Sequence, residues 1–537
     1  MTDIEQASSS RIDAASVAVV ETSVGAELAR VVEATPEAPA LYWLTPDGHE
    51  SLTWAELYSS AGGAAERLRE LDPQGGRVAL VAYNSLDWII AMYGCVLAGR
   101  SVVPISPAAT DAEAGHMLSL AQVSTILAVE RAGQDETLVR MTNLAKGMPL
   151  SPSVRDIAEV ARPAESVIRP AAVAPGDEFL LQFTSGTTGV PKAAVLSHRA
   201  AINSARVYAE ACAARPGETW LSPLPLFHVG GSVSGLLVAL TQGSAYIIID
   251  RFSPQVAARA IREIRPALVG LVPTMIIDML GAERVAASDF ESVRLVVGGA
   301  TAVDPGLIAD MESRLGITFM VAYGQSEAPM MAASAPTDSA DIRTRTTGRC
   351  LAGRDYRIRD RDGRIVPFGE VGELCVRGPL TMTGYLRPDG SIDPAADGEG
   401  WRGTGDLCSM ATGGVLTFHG RIRELIIRGG LNVFPAEVER VLTEYESVSE
   451  AAVFGVPDAR LGERVVVAIL PAPGNEVDPA NLAAFAAGRL SHYKQPSEWI
   501  MAKTLPRTST GKIRKHQLRK WYEEGVIRQM CGAAPTV

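Results

Sequence analysis

Short apolar runs at residues 77–82, 179–183, 245–249 and 268–271 alternate with helical stretches at 200–214 and 254–264. That alternation predicts α/β layers built on largely parallel sheets. Around residues 356–377 the texture changes to short alternating strands with Asp-Gly and Gly-Glu turns, as at Asp362-Gly363, which predicts a β-rich subdomain closing the large domain. Past residue 423 the pattern starts again as a compact unit, with a helix at 435–442, strands at 451–456 and 465–470, and a helix at 479–490. The expected fold is α/β: a large N-terminal domain, 1–422, of layered α/β subdomains plus a β-rich subdomain, and a small C-terminal α+β domain, 423–537. No internal repeat is evident.

Composition narrows the class. A chain of 537 residues, 47% apolar and 21% charged, is long enough for several cores and too mixed for disorder. A formal charge of −11 without runs of Lys or Arg argues against a nucleic-acid surface. The richest apolar segments, 88–98 and 236–240, end on glycine or polar residues and fall short of the roughly 20 residues a membrane span needs. The six cysteines, Cys95, Cys212, Cys350, Cys375, Cys408 and Cys531, show no C-x-x-C pair and no His cluster at metal-ligand spacing, so reduced cytosolic thiols are expected. The amino terminus carries Asp3 and Glu5 ahead of a Ser/Ala-rich stretch, unlike a secretory signal. A cytoplasmic protein is expected.

The strongest local signal is Phe183-Thr-Ser-Gly-Thr-Thr-Gly-Val-Pro-Lys192, between an apolar strand and a second short strand at 193–196. Glycines let backbone amides approach phosphate oxygens, and the hydroxyls of Thr184, Ser185, Thr187 and Thr188 can donate where negative charge accumulates. The segment is not a Walker A loop, because G-x-x-x-x-G-K-[ST] is absent. On its own it also reads as an ordinary Ser/Gly turn.

Further segments extend the signal. Here the chain resembles the adenylate-forming superfamily of acyl-CoA synthetases, firefly-luciferase-like enzymes and nonribosomal adenylation domains. Residues 184–192 are similar to the family's phosphate loop, and Pro223-Leu-Pro-Leu-Phe-His228 to its acyl-pocket segment. Gly298-Gly299-Ala300 and Tyr323-Gly-Gln-Ser-Glu327 resemble the adenine and metal segments. Residues 401–406 and 420–432 resemble the ribose and hinge segments, and 506–512 the carboxy-terminal lysine motif. The likeness covers nearly the whole chain, with the motifs in the family's order.

The resemblance implies ATP, Mg²⁺ and CoA as cofactor and co-substrates. It implies a nucleotide site formed by Thr184, Ser185, Gly186, Thr187, Thr188, Gly189, Lys192, Gly299, Ala300, Tyr323, Gln325 and Ser326. Lys512 corresponds to the lysine bridging carboxylate and α-phosphate, where a preorganised cation supplies ~3 kcal/mol. Glu327 would hold Mg²⁺ with help from Thr184. Asp406 would accept both ribose hydroxyls, and Arg421 would reach ribose or phosphate. Arg423 occupies the hinge place of a mobile small domain, and Gly429 and Gly430 in Ile426-Ile-Arg-Gly-Gly-Leu-Asn432 would let a pantetheine arm pass after rotation. The lysine motif also resembles a site silenced by reversible acetylation, which implies a lysine acetyltransferase and a deacetylase as partners. Three positions depart from the family: Ser326 replaces the commoner Thr, Ala193 stands where Gly is usual, and Gly403 where Arg or His is frequent.

The acid is addressed by His228, in Leu226-Phe-His-Val-Gly-Gly231, where amino-acid-activating relatives place an Asp against the substrate ammonium. An amino acid would leave its charge unpaired here, so an acid without an α-amine is expected. By residue type alone, His228 equally fits a satisfied core histidine. Val229, Gly231, Gly299, Ala300, Pro329, Met330 and Met331 describe a mostly apolar pocket in which small residues leave room and methionines adapt, suiting fatty, alicyclic or aromatic acids. Two alternatives to a CoA ligase stay open: an enzyme loading a carrier-protein phosphopantetheine, and a non-catalytic nucleotide- or acyl-binding relative. The sequence leaves the oligomeric state open.

Overall fold

The computed structural model describes residues 11–12, 18–131, 135–163, 169–184, 191–283, 285–299, 305–507 and 512–526. Ser185, Gly186, Thr187, Thr188, Gly189 and Ala300 from the expected site, and Cys531, lie outside the described residues. Two large sheets and one small sheet organise the chain.

Six strands of the 14-stranded sheet are parallel, running in space through Thr318–Gln325, Leu295–Gly299, Leu268–Gly270, Trp220–Leu221, Tyr246–Ile248 and Pro39–Thr45. Helices Pro254–Ile264, Pro273–Gly281 and Pro305–Leu315 supply crossovers between these strands. From Ala328–Ala333 onward the same sheet turns antiparallel, through Gly348–Cys350, Val415–Arg421, Arg402–Met410, Gly372–Arg377 and Asp355–Arg359. The sheets are therefore more mixed than the expected largely parallel arrangement, because the later strands are joined by turns and loops, with one short helix, Ala340–Arg345, among them. The β-rich region is an extension of the main sheet.

The eight-stranded sheet sets Glu178–Thr184, Val102–Ile105, Arg77–Val81, Val123–Ala128 and Ser153–Asp156 in parallel. Lys192–Ser197 then pairs antiparallel with Glu178–Thr184. Between the two sheets lie helices Trp54–Leu71 and Leu86–Ala98, the latter buried almost along its whole length, which explains its nearly continuous apolar sequence. The two helices touch at Gly94, where an added Cβ would lie 2.5 Å from the Ala64 Cβ. Only glycine permits that approach.

The small sheet joins Leu431–Val433, Ile426–Arg428, Gly462–Pro471 and Val448–Asp458, with Glu498–Met501 parallel to Gly462–Pro471. Helices Pro435–Thr443, Pro479–Ala487 and Lys515–Glu523 pack around it over its own apolar core. No helix among the described residues is long and apolar enough to cross a membrane.

Candidate active site

The site forms where the parallel strands Leu295–Gly299 and Thr318–Gln325 end, the position at which open α/β sheets bind ligands. Strand Glu178–Thr184 brings Thr184 opposite Lys192, the first residue of the next strand, so the two ends of the expected phosphate loop meet across a ladder. The Lys192 ammonium stands 5.0 Å from the centre of the Tyr385 ring.

Asp406 is the hub. It is 2% exposed, and its Oδ2 accepts from the Tyr323 hydroxyl at 2.6 Å and from Gln325 Nε2 at 2.6 Å, while Arg421 Nε approaches Oδ1 at 3.4 Å. Asp406 and Arg421 face each other on adjacent strands, which accounts for the pairing. Burial, followed by the Asp406 charge, holds the Tyr323 phenol well above its usual range, so it stays a donor. A carboxylate has about four lone-pair sites, and two donors on Oδ2 leave capacity for a ligand hydroxyl.

Glu327 is oriented from behind. The Tyr385 hydroxyl donates to its Oε1 at 2.7 Å, and its main-chain carbonyl accepts from Met382 N at 2.7 Å. A small cavity opens beside it, lined by Gln325, Glu327, Tyr385, Arg402, Gly403 and Thr404. Gly403 is no hole in this wall: a Cβ there would lie 2.3 Å from Glu373 Oε1, which accepts from Gly405 N at 3.0 Å. The Glu373 carboxylate fills the space that a side chain at position 403 would need. Ala193 is fully buried within its strand, and Ser326 is buried at 7% exposure.

His228 is half-buried and caps the short helix Val229–Gly231, its Nδ1 accepting from Gly230 N at 3.1 Å. Burial, and then the Lys512 charge, push its pKa down to about 4. The ring is neutral at ordinary pH, with Nδ1 as acceptor and the proton on Nε2. Its segment is held by Asn84, whose Nδ2 donates to the Leu224 and Ile249 carbonyls at 3.0 and 3.1 Å and whose Oδ1 accepts from Leu226 N at 2.7 Å.

Gly231 and Gly299 do not leave room in the way expected of small residues. A Cβ at Gly231 would meet the Pro225 carbonyl at 2.3 Å, and one at Gly299 the Ala322 carbonyl at 1.9 Å. Both serve close backbone packing. Val229 and Met331 are buried, with Met331 fully inside, while Met330 is partly exposed.

Lys512 reaches this region from the carboxy-terminal part of the chain. Burial pushes its pKa down to about 8, Arg421 and Arg423 push the same way, and Asp406 and Glu327 oppose them. The same structure turns the glycine hairpin outward: Gly429 and Gly430 adopt φ of +60° and +80°, and Ile427 and Leu431 are exposed beside them. Lys515, three residues after Lys512, bridges Glu439 Oε1 at 2.6 Å and Glu424 Oε2 at 3.1 Å and so ties the lysine segment to the hinge. Sequence reasoning missed Tyr385, Asn84, Glu373 and Lys515. A half-buried tyrosine in a three-residue strand, or one more lysine in a basic tail, carries no local signal of its partner.

Residues 28–386 match the AMP-binding enzyme family, and residues 437–512 match the AMP-binding enzyme C-terminal domain. The chain belongs to this family. It is 33% identical to a (methyl-dioxo-octahydroindenyl)propanoyl:CoA ligase of Mycobacterium tuberculosis, over 93% of this chain and 98% of that one. It is 32% identical to an indoleacetate–CoA ligase of Aromatoleum aromaticum, over 86% of this chain and 92% of the relative. Among solved structures, the o-succinylbenzoate CoA synthetase of Bacillus subtilis, in complex with its acyl-adenylate intermediate, superposes with a TM-score of 0.81 at 26% identity. That likeness covers 93% of this chain and 98% of the other.

Proposed function

We propose that the chain is an ATP-dependent carboxylic acid:CoA ligase that works through an acyl-adenylate. The observation carrying this reading is the convergence of Lys512 on Asp406, Arg421, Glu327 and His228, since these groups interact electrostatically across more than 280 residues of chain. A carboxylate has no leaving group. Its oxygen attacks the α-phosphorus of ATP, pyrophosphate departs, and the acyl-AMP formed can be attacked by the CoA thiolate at its carbonyl carbon, with AMP leaving. Lys512 neutralises the charge that builds at the α-phosphate, Arg421 adds a second cation, and Asp406 takes the ribose hydroxyls while Tyr323 and Gln325 fix its orientation. Thr184 and Lys192 flank the triphosphate, with Ser185, Gly186, Thr187, Thr188 and Gly189 between them.

Mg²⁺ fits as part of the nucleotide. Among the described residues no group of three or more His, Cys, Asp or Glu could hold a metal ion, so a divalent cation at Glu327 would share its coordination with phosphate oxygens, as Mg²⁺ commonly does. The chemistry it supplies is charge neutralisation on the triphosphate. Tyr385 occupies Oε1 of Glu327 and leaves Oε2 for the ion.

The division at Arg423 into 1–422 and 423–537 is part of the proposal, with rotation of the smaller part withdrawing Lys512 and bringing Gly429 and Gly430 to the thiol. The acid is fatty, alicyclic or aromatic and lacks an α-amine, because the neutral His228 provides no counter-ion for an ammonium. The ring-bearing acids in the relatives' names support the alicyclic and aromatic classes. Free CoA is the favoured acceptor on the same ground, with a carrier-protein phosphopantetheine as the second reading. The proposal includes reversible acetylation of Lys512 by a transferase and deacetylase pair in the cytoplasm, on the resemblance of residues 506–512 alone.

Pyrophosphate release across a panel of acids, with and without CoA, tests the proposal. At least one apolar carboxylate should support release and yield acyl-CoA, while free α-amino acids should not. Turnover of amino acids, or no release with any acid, would contradict it.

A further inference from the structure

Arg354 is 1% exposed, yet none of its hydrogen-bond partners is a carboxylate. Its guanidinium meets neutral acceptors on three separate segments. Nη1 donates to the Met330 carbonyl at 2.9 Å. Nη2 donates to the Pro329 carbonyl, to the Leu380 carbonyl at 2.9 Å and to Ser204 Oγ at 2.9 Å, and Nε reaches the Leu380 carbonyl at 3.3 Å. Burying a cation without a counter-ion is costly, and an apolar side chain would fill the same volume at less cost. The arrangement points to a geometric task.

The segment it holds follows directly on Glu327. Met330 has φ +51°, a left-handed conformation that a residue with a side chain rarely adopts. The facing strand comes so close that a Cβ on Gly324 would lie 2.4 Å from Met330 N. The direction of the Met330 side chain is therefore set by this bulge in the ladder rather than by the alternation of strand Ala328–Ala333. The carbonyls at the bulge, those of Pro329 and Met330, are the ones Arg354 binds. Leu380 lies two residues before Met382, which holds the Glu327 carbonyl, and Ser204 belongs to helix His198–Ala211, which packs on the same strand. A planar fork can fix two neighbouring carbonyls in direction, and a lysine ammonium cannot.

We propose that Arg354 is a positioning residue for acid specificity. It acts through Pro329 and Met330, locking the bulge that aims the Met330 side chain at the acid and leaving the nucleotide contacts alone. The proposal rests on the acyl-adenylate reading, in which Met330 lines the acid pocket.

The test compares wild type with Arg354→Lys, which keeps the charge but loses the fork, and Ser204→Ala, which removes one contact from the clamp. Initial rates are measured for straight-chain, alicyclic and aromatic acids and for ATP, beside thermal unfolding. In Arg354→Lys the ratio of kcat/KM between a straight-chain and a ring-bearing acid should shift ~10-fold or more, largely through KM for the acid. KM for ATP should stay within about twofold. Ser204→Ala should shift the ratio in the same direction by less. A loss proportional over all acids, or one that tracks the folded fraction, overturns the proposal. If Arg354→Lys does not fold, Ser204→Ala decides alone, and an unchanged ratio there overturns it. Wild type that turns over ATP with no acid removes the underlying reading and this proposal with it, an outcome distinct from unaltered specificity in an active enzyme.

Discussion

The Lys512 ammonium is held where its charge is both needed and costly. Its pKa of about 8 follows from burial and the neighbouring arginines, so the cation persists below that pH and is lost as pH rises through it. Acyl-adenylate formation should then be flat below about pH 8 and decline above it. Lys512→Arg, which stays charged throughout, should retain part of the rate and lose that alkaline decline. Persistence of the decline in the arginine variant would assign it to another group. His228, pushed down to about 4, contributes no step between pH 5 and 8. Glu327 offers a second test. Tyr385→Phe frees Oε1 and should raise the Mg²⁺ concentration needed for half-maximal rate several-fold with kcat preserved at saturation. Glu327→Gln should lower the saturated rate as well, by ~10-fold or more, since the charge itself is gone. Equal Mg²⁺ dependence in wild type and both variants would remove Glu327 from the metal.

Among the elements, the hairpin Ile426–Arg428 and Leu431–Val433 carries the clearest separable prediction. Nothing lies within 4 Å of a Cβ built on Gly430, and its φ of +80° suits glycine. Gly430→Trp should cost about 1 kcal/mol in local strain, fold normally and form acyl-adenylate, yet block thioester formation if the hairpin lines the thiol path. Unimpaired acyl-CoA output would place the path elsewhere. How far such elements could be read in advance depended on their partners. Runs such as 77–82 and 268–271 were legible because strands buried on both faces are continuously apolar, and their strands appear at Arg77–Val81 and Leu268–Gly270. The antiparallel part of the main sheet was less legible, since only the short alternating strands and the Asp-Gly and Gly-Glu turns at 356–377 announced it. Within the site, Lys512, Glu327, Asp406 and His228 stood out by motif and do converge. The Tyr385–Glu327 contact joins residues 58 apart and the Asn84–Leu224 contact residues 140 apart, and no local pattern encodes either. The role of small residues was misjudged for a related reason: Gly231 and Gly299 face backbone that is distant or turned in sequence.

At the scale of the whole molecule, Lys512 lies within electrostatic reach of Asp406, Arg421 and Glu327 while Ile427 and Leu431 of the hairpin stand exposed. If one site runs two reactions by rotation at Arg423, the two half-reactions must respond to different substitutions. Lys512→Ala removes one preorganised charge from the first transition state and should slow acyl-adenylate formation by ~10²-fold or more. Synthetic acyl-adenylate supplied with CoA bypasses that step, so the variant should then make acyl-CoA at close to the wild-type rate. Lys512→Gln, which mimics acetylation, should behave alike. The opposite pattern is expected from Arg423→Pro. Arg423 lies in the short 3₁₀ turn Ile422–Glu424, whose hydrogen bond runs from Leu425 N to the Ile422 carbonyl, and the Arg423 N–H takes no part in it. Proline removes no hydrogen bond from this turn, though it disfavours the helical conformation of the preceding Ile422, and by fixing φ it restricts the backbone change that rotation requires. Pyrophosphate release in a single turnover should survive in Arg423→Pro, and conversion of acyl-adenylate to acyl-CoA should fall by ~10-fold or more. Stopped-flow measurement of the two steps separates the outcomes. Were both substitutions to depress both steps equally in folded protein, a single fixed pose would serve the whole reaction and the hinge at Arg423 would have no catalytic part.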